Sequence, residues 1–115
     1  MEYLEKGEID SDIKATCELQ LGAYERWNGH RGFGPLNARL AMERACELAK
    51  QHGIGMVALA NNNHWMRGGS YGLQAADAGC IGICWSNTKP NMPAWGGEDQ
   101  RIGNNPLAFA IPRSN

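Results

Sequence analysis

Apolar and polar side chains alternate from residue 15 to residue 23, with Ala15, Cys17, Leu19, Leu21 and Ala23 set against Thr16, Glu18, Gln20 and Gly22. A period of two predicts a half-buried strand. Trp27-Asn28-Gly29 then predicts a turn, because Asn and Gly tolerate positive φ. The period changes after Gly34-Pro35. Ala38, Ala41, Ala45 and Leu48, joined by Met42 and Ala49, recur at helical spacing, while Arg39, Glu43, Glu47 and Lys50 fall on the other side. This predicts a helix to about His52, with Pro at its first position and Gly53 as a left-handed stop.

The unbroken apolar run at residues 56–60 predicts a strand covered on both faces. A second helix is expected over 68–78. Gly68, Gly72, Ala75 and Ala76 give it a smooth surface that lets another backbone or a ligand come close, and Gly79 ends it. Residues 80–85 predict another covered strand. Residues 86–106 read as a long loop rich in Asn, Pro and Gly, of a length that is usually functional or disordered. Residues 107–111 form a last strand ended by Pro112. The order strand, helix, strand, helix, strand, loop, strand implies a layered α/β arrangement with some parallel pairing. At 115 residues the chain suits one domain with one core.

Composition narrows the partners. A net charge of -1 points to neither nucleic acid nor an anionic membrane. No window reaches the ~20 apolar residues of a membrane span. Residues 1–6 lack the basic head and apolar run of a signal peptide. Cys17, Cys46, Cys80 and Cys84 are expected to be free thiols, mostly buried. Cys80 and Cys84 would stand about 13 Å apart on one strand, too far for a disulfide.

The chemistry concentrates in Asn61-Asn62-Asn63-His64-Trp65-Met66-Arg67-Gly68-Gly69, between a strand end and a helix start. Ligands of open α/β sheets bind at the carboxyl ends of strands, and free N–H groups at a helix start favour an anionic substrate. His64 has the chemistry to pass a proton to or from a carbonyl or hydroxyl, and Arg67 to pair with a carboxylate. The plainer alternative is that Asn61 or Asn63 caps the helix, His64 packs, and Arg67 is solvated. A second group, Ser86-Asn87-Thr88-Lys89, ends another strand, and Lys89 could stabilise an oxyanion or carboxylate. Gly96-Gly97 and Gly103-Asn104-Asn105-Pro106 offer bare amides that could cradle phosphate, ordinary turn chemistry being the alternative. Residues 29–34 read G-x-x-G-x-G rather than G-x-G-x-x-G, with no Walker Lys-Ser/Thr, and predict a tight crossover into the helix. No metal site is expected, since the histidines have no ligand spacing with one another or with the cysteines.

Four runs carry a resemblance: residues 63–72, residues 81–88, Met92-Pro93-Ala94-Trp95-Gly96, and residues 101–107. Together they resemble the malate/L-lactate dehydrogenase family, which is separate from the Rossmann-type lactate dehydrogenases. The resemblance implies a non-Rossmann nucleotide-binding domain, a layered mixed sheet with helices. It implies a cytoplasmic homodimer that moves a hydride between NAD(P)H, with NADH the expected form, and a small 2-oxo acid or 2-hydroxy acid. His64 takes the place of a catalytic acid/base group on the substrate side, and Thr88 that of a substrate contact, with Arg67 and Lys89 the candidates to hold the substrate carboxylate. Gly103, Asn104 and Asn105 stand where the family has Gly-Thr-Asn-Pro beside the cofactor. The family's principal catalytic histidine, in a Ser-His-Gly motif, has no counterpart here, nor do its later cofactor segments. The chain is therefore expected to be an incomplete domain, matching the second quarter to the middle of an enzyme and inactive alone. A non-catalytic remnant is the alternative. Members act on malate, lactate, sulfolactate, ureidoglycolate, cyclic imino acids and diketo-sugar acids, so the substrate stays open.

Overall fold

The computed structural model describes residues 12–113, so the reading of residues 1–6 lies outside it. The first departure from the pattern is a hairpin. The predicted strand stops at Leu21, and β1 (Thr16–Leu21) turns back into an antiparallel β2 (Tyr24–Asn28). Gly22, at φ 57°, supplies the left-handed residue of that turn. Trp27 and Asn28, read as turn residues, are therefore strand residues. The charges of Glu25 and Arg26 concealed the second strand. β1 is also less buried than its alternation suggested, for Cys17 and Leu21 are exposed and only Leu19 is half-buried.

α1 (Gly34–His52) forms as its spacing predicts, with Pro35 in the first turn and Gly53 left-handed at φ 83°. It crosses from β2 to β3 (Met56–Ala60), which lies parallel to β2 in the register Tyr24↔Met56 through Asn28↔Ala60. The sheet order is β1-β2-β3, so β3 is an edge strand. It is not covered on both faces, since Met56 and Ala60 are exposed. Beneath α1, Leu48 is 1% exposed. Glu25 of β2 is also buried, and both of its oxygens are satisfied. Arg44 of α1 donates to Oε1 at 2.8 and 3.0 Å, and Trp27 Nε1 donates to Oε2 at 2.9 Å. A buried carboxylate is tolerable only with partners of this kind. The Arg44 hydrogen bonds hold the Glu25 carboxyl below its ordinary range against the opposing effect of burial.

α2 (Gly68–Asp77) lies over the antiparallel pair β4 (Gly82–Trp85) and β7 (Leu107–Ala110). Its small residues do what the sequence suggested. A Cβ on Gly72 would stand 3.2 Å from Ala110, and one on Gly82 would stand 2.8 Å from Ala75. The covered face of the pair carries Gly82↔Ala110 and Cys84↔Ala108. Cys84 joins Ala38 and Tyr71 in a core flanked by Met42, Trp65 and Ala108. The other face carries Ile83↔Phe109 and Trp85↔Leu107, and here the prediction of a doubly covered strand fails. Ile83, Trp85, Leu107 and Phe109 are 47–64% exposed. Cys80 falls before β4, in the turn that follows Gly79.

Residues 86–106 are not an unstructured loop. Ser86 N–H donates to Pro106 O at 3.2 Å and Asn91 N–H to Ile102 O at 3.1 Å. Beyond them β5 (Met92–Pro93) pairs with β6 (Gln100–Ile102), and the tip is a tight turn from Ala94 to Gly97. The β4–β7 ladder thus runs on as a two-stranded ribbon. Trp95 sits fully exposed at its end. No helix among the described residues is long and apolar enough to cross a membrane.

Candidate functional site

The segment bearing His64 follows β3 and is bound to the segment following β2. Backbone bonds begin the clamp, with Gly29 N–H to Ala60 O at 2.8 Å and Arg31 N–H to Asn61 O at 2.7 Å. Side-chain amides complete it. Asn63 Nδ2 donates to the carbonyls of Arg31 and Gly32, and Asn62 Nδ2 to those of Gly34 and Asn63. At the centre stands Asn37 of α1, fully buried. Its Oδ1 accepts from Ala15 N–H at 3.0 Å, and its Nδ2 donates to Asn62 Oδ1 at 3.0 Å and Gly29 O at 3.3 Å.

The capping alternative is thereby overturned. Arg67, not Asn61 or Asn63, occupies the N-cap of α2, and no side chain caps it. The asparagines instead splice two loops, which is why three of them occur in succession. Asn37 was missed, because an Asn in the first turn of a helix is ordinary in a sequence, and its partners lie far along the chain at Ala15, Gly29 and Asn62.

His64 is exposed, and its ring is fixed from the backbone. The Met66 N–H donates to Nδ1 at 2.9 Å. Nδ1 therefore carries the lone pair, and in the neutral ring the proton resides on Nε2. Met66 adopts the left-handed φ of 70° that closes this short bridge. Tyr71 anchors the other side, its hydroxyl donating to Trp65 O and its ring stacking on Trp65 with centroids 5.5 Å apart. Burial raises the Tyr71 pKa, keeping the phenol protonated as a donor. Arg67 is exposed and forms no ion pair among the described residues.

The second predicted group is brought together tightly. Asn105 Oδ1 accepts from Thr88 N–H at 2.9 Å, and Thr88 Oγ1 accepts from Asn105 N–H at 3.3 Å. A Cβ on Gly103 would overlap Thr88, with the Lys89 carbonyl 3.0 Å away. Gly103 and Asn105 thus brace Thr88, and Asn104 and Lys89 remain exposed. Trp65 packs on the core that contains Cys84 of β4, which links the His64 segment to the strand that leads to Thr88.

A cavity of about 370 Å³ opens at the carboxyl ends of β2 and β3, lined by Asn28, His30, Arg31 and Asn61. His64 is not among its lining residues. His30, Arg31 and Asn61 all have positive φ there. The His30 ring is held by Thr16 Oγ1 at 2.7 Å from Nε2. The crossover at residues 29–34 therefore also shapes a surface concavity, which the glycine spacing did not reveal.

The family model for malate/L-lactate dehydrogenase matches residues 1–115. The chain belongs to the malate/L-lactate dehydrogenase family. It is 54% identical over 112 residues to a 2,3-diketo-L-gulonate reductase of Mannheimia succiniciproducens, a match covering 97% of this chain and 34% of that protein. Among solved structures, malate dehydrogenase from Entamoeba histolytica superposes with TM-score 0.91 at 36% identity, covering 99% of this chain and 32% of that one. Sulfolactate dehydrogenase from Methanocaldococcus jannaschii gives 0.86 at 34% identity, covering 94% and 31%. The family's mixed α/β fold is thus present as an incomplete domain, for the chain spans about a third of the length of these relatives.

Proposed function

We propose that this chain is the substrate-side portion of an NAD(P)H-dependent reductase of small 2-oxo acids, with a 2,3-diketo-L-gulonate-like sugar acid as substrate and NADH as reductant. The observation that carries this reading is the His64 ring, locked by Met66 N–H so that Nε2–H is the free donor. A donor of this kind polarises a carbonyl oxygen and stabilises the charge that grows on it. Bound NADH supplies the hydride. Arg67 and Lys89, both exposed and in no ion pair among the described residues, hold the substrate carboxylate, and the Thr88 hydroxyl, kept in place by Asn105, fixes a substrate oxygen. Asn104 and the backbone of residues 103–105 offer donors to the nicotinamide nucleotide, with the Asn105 side chain already spent on Thr88. The complete enzyme works as a cytoplasmic homodimer, without nucleic acid or membrane partners.

The test is His64→Ala in the full-length enzyme that contains this segment, assayed by NADH oxidation with 2,3-diketo-L-gulonate. The expected result is a fall in kcat of roughly 10²-fold or more. An unchanged kcat would remove His64 from the reaction. A second reading, a piece without activity of its own, is favoured by the open apolar face of β4 and β7. Under that reading the 115-residue chain neither binds NADH saturably nor turns over a 2-oxo acid.

A further inference from the structure

One peptide group joins the His64 ring to the core. The Tyr71 hydroxyl donates to the carbonyl oxygen of Trp65, and the N–H of Met66 donates to His64 Nδ1 at 2.9 Å. That carbonyl and that N–H belong to the same peptide. In a planar trans peptide they point in opposite directions, so fixing the carbonyl on one side aims the N–H on the other. Hydrogen bonds joined through an amide also polarise one another, and a bound carbonyl makes its N–H a stronger donor. Tyr71 is suited to the anchoring end. It is 7% exposed and forms a core with Ala38 and Cys84, so packing holds its hydroxyl in place. Its ring stacks on Trp65 at an interplanar angle of 17°. The other end has no such support. Met66 is 71% exposed, yet it keeps a φ of 70°, which is unfavourable for a residue with a Cβ. The bonds on either side of the peptide offset that cost.

We propose that Tyr71 is the positioning residue for His64, acting through the Trp65–Met66 peptide to keep the ring's Nε2–H directed at the substrate carbonyl. This rests on the role of His64 in the proposed reaction. Tyr71 touches no reacting atom, for its hydroxyl is spent on Trp65. Removing the hydroxyl while keeping the ring leaves the stack and frees the peptide to turn. The Met66 N–H then leaves Nδ1, the ring rotates about its bonds to the backbone, and the tautomer with the proton on Nδ1 is admitted. The donor that polarises the carbonyl is lost from its place for part of the time.

The test compares Tyr71→Phe with the parent in two ways. In the nitrogen-labelled full chain, in mildly alkaline buffer, NMR reads the coupling across the hydrogen bond between Met66 N and His64 Nδ1. The expected result is a coupling in the parent that disappears in Tyr71→Phe, with faster solvent exchange of the Met66 amide. Its absence from the parent, or its survival in the variant, overturns the proposal. If the variant does not fold, the parent decides alone, and a parent without both the coupling and a slowly exchanging Tyr71 hydroxyl proton overturns it. The second readout is a double-mutant cycle in the full-length enzyme that contains this segment. Tyr71→Phe is expected to lower kcat by about tenfold with KM little changed, and to lower it no further when His64→Ala is already present. A structural role gives the same fold loss in both backgrounds, and that outcome overturns the proposal. The two failures are distinguishable. An unchanged kcat in His64→Ala alone strikes the role of His64, whereas a fall there with equal effects of Tyr71→Phe in both backgrounds strikes only the role of Tyr71.

Discussion

Gly34 lies so close to the backbone of His64 that a Cβ at position 34 would overlap the carbonyl oxygens of both His64 and Asn63. The start of α1 and the candidate catalytic segment are thus in backbone contact. Gly34→Ala is expected to cost about 1–3 kcal/mol, because the added methyl group must displace main chain and not a flexible tip. Gly69→Ala is the control, since nothing stands within 4 Å of its Cβ position. Chemical denaturation of both variants checks this, and equal stability would refute the contact.

Thr88 depends on Asn105 for its position. Asn105→Gly retains the left-handed backbone, at φ 36° in the parent, and loses the side chain that accepts from Thr88. The expected loss is about 1 kcal/mol, with faster amide exchange at Thr88. In the full-length enzyme KM should rise more than kcat falls. An effect on kcat alone would argue that the residue acts elsewhere.

Glu25 predicts an acid limb to stability. Its folded pKa lies below the ordinary glutamate value of about 4.3. Its contribution is therefore fully present above that value and is lost as pH falls through the folded pKa. Melting temperatures measured from neutral pH downward should fall more steeply for the parent than for Glu25→Gln. Parallel curves would show that the Arg44 pair makes no pH-linked contribution.

The open face of β4 and β7 should accept polar residues cheaply in this chain. Phe109→Thr is expected to change stability by less than about 1 kcal/mol and to reduce self-association seen by light scattering. Leu48→Ala, at 1% exposure, should instead cost about 2–5 kcal/mol. If Phe109→Thr proved as costly as Leu48→Ala, that face would have to be covered in solution.

Much of the scaffold was legible because helical periodicity and glycine stops are local. α1 and its ends followed from Pro35, the alanine stripe and Gly53, and α2 from its small residues. The errors share a cause. β2 was hidden because its one fully buried side chain is a glutamate, neutralised by an arginine on another element, which no local pattern displays. The ribbon at residues 86–106 was hidden because Thr88, Asn105 and main-chain groups hold it, without apolar alternation. In the site, the position of His64 after β3 and of Thr88 after β4 was readable at strand ends. The splice made by Asn37, Asn62 and Asn63 was not, since it joins segments distant in sequence. The family resemblance supplied the chemistry that geometry alone does not specify.

The buried Asn37 amide has a consequence for cooperativity. One side chain bonds the segment preceding β1, the turn after β2 and the turn after β3. None of these three segments can fray without unmaking a hydrogen bond to the buried Asn37 amide. The amides of Gly29 and Arg31 should therefore exchange with solvent only when the whole sheet opens, and the His64 segment, though on the surface, should share the opening free energy of the core.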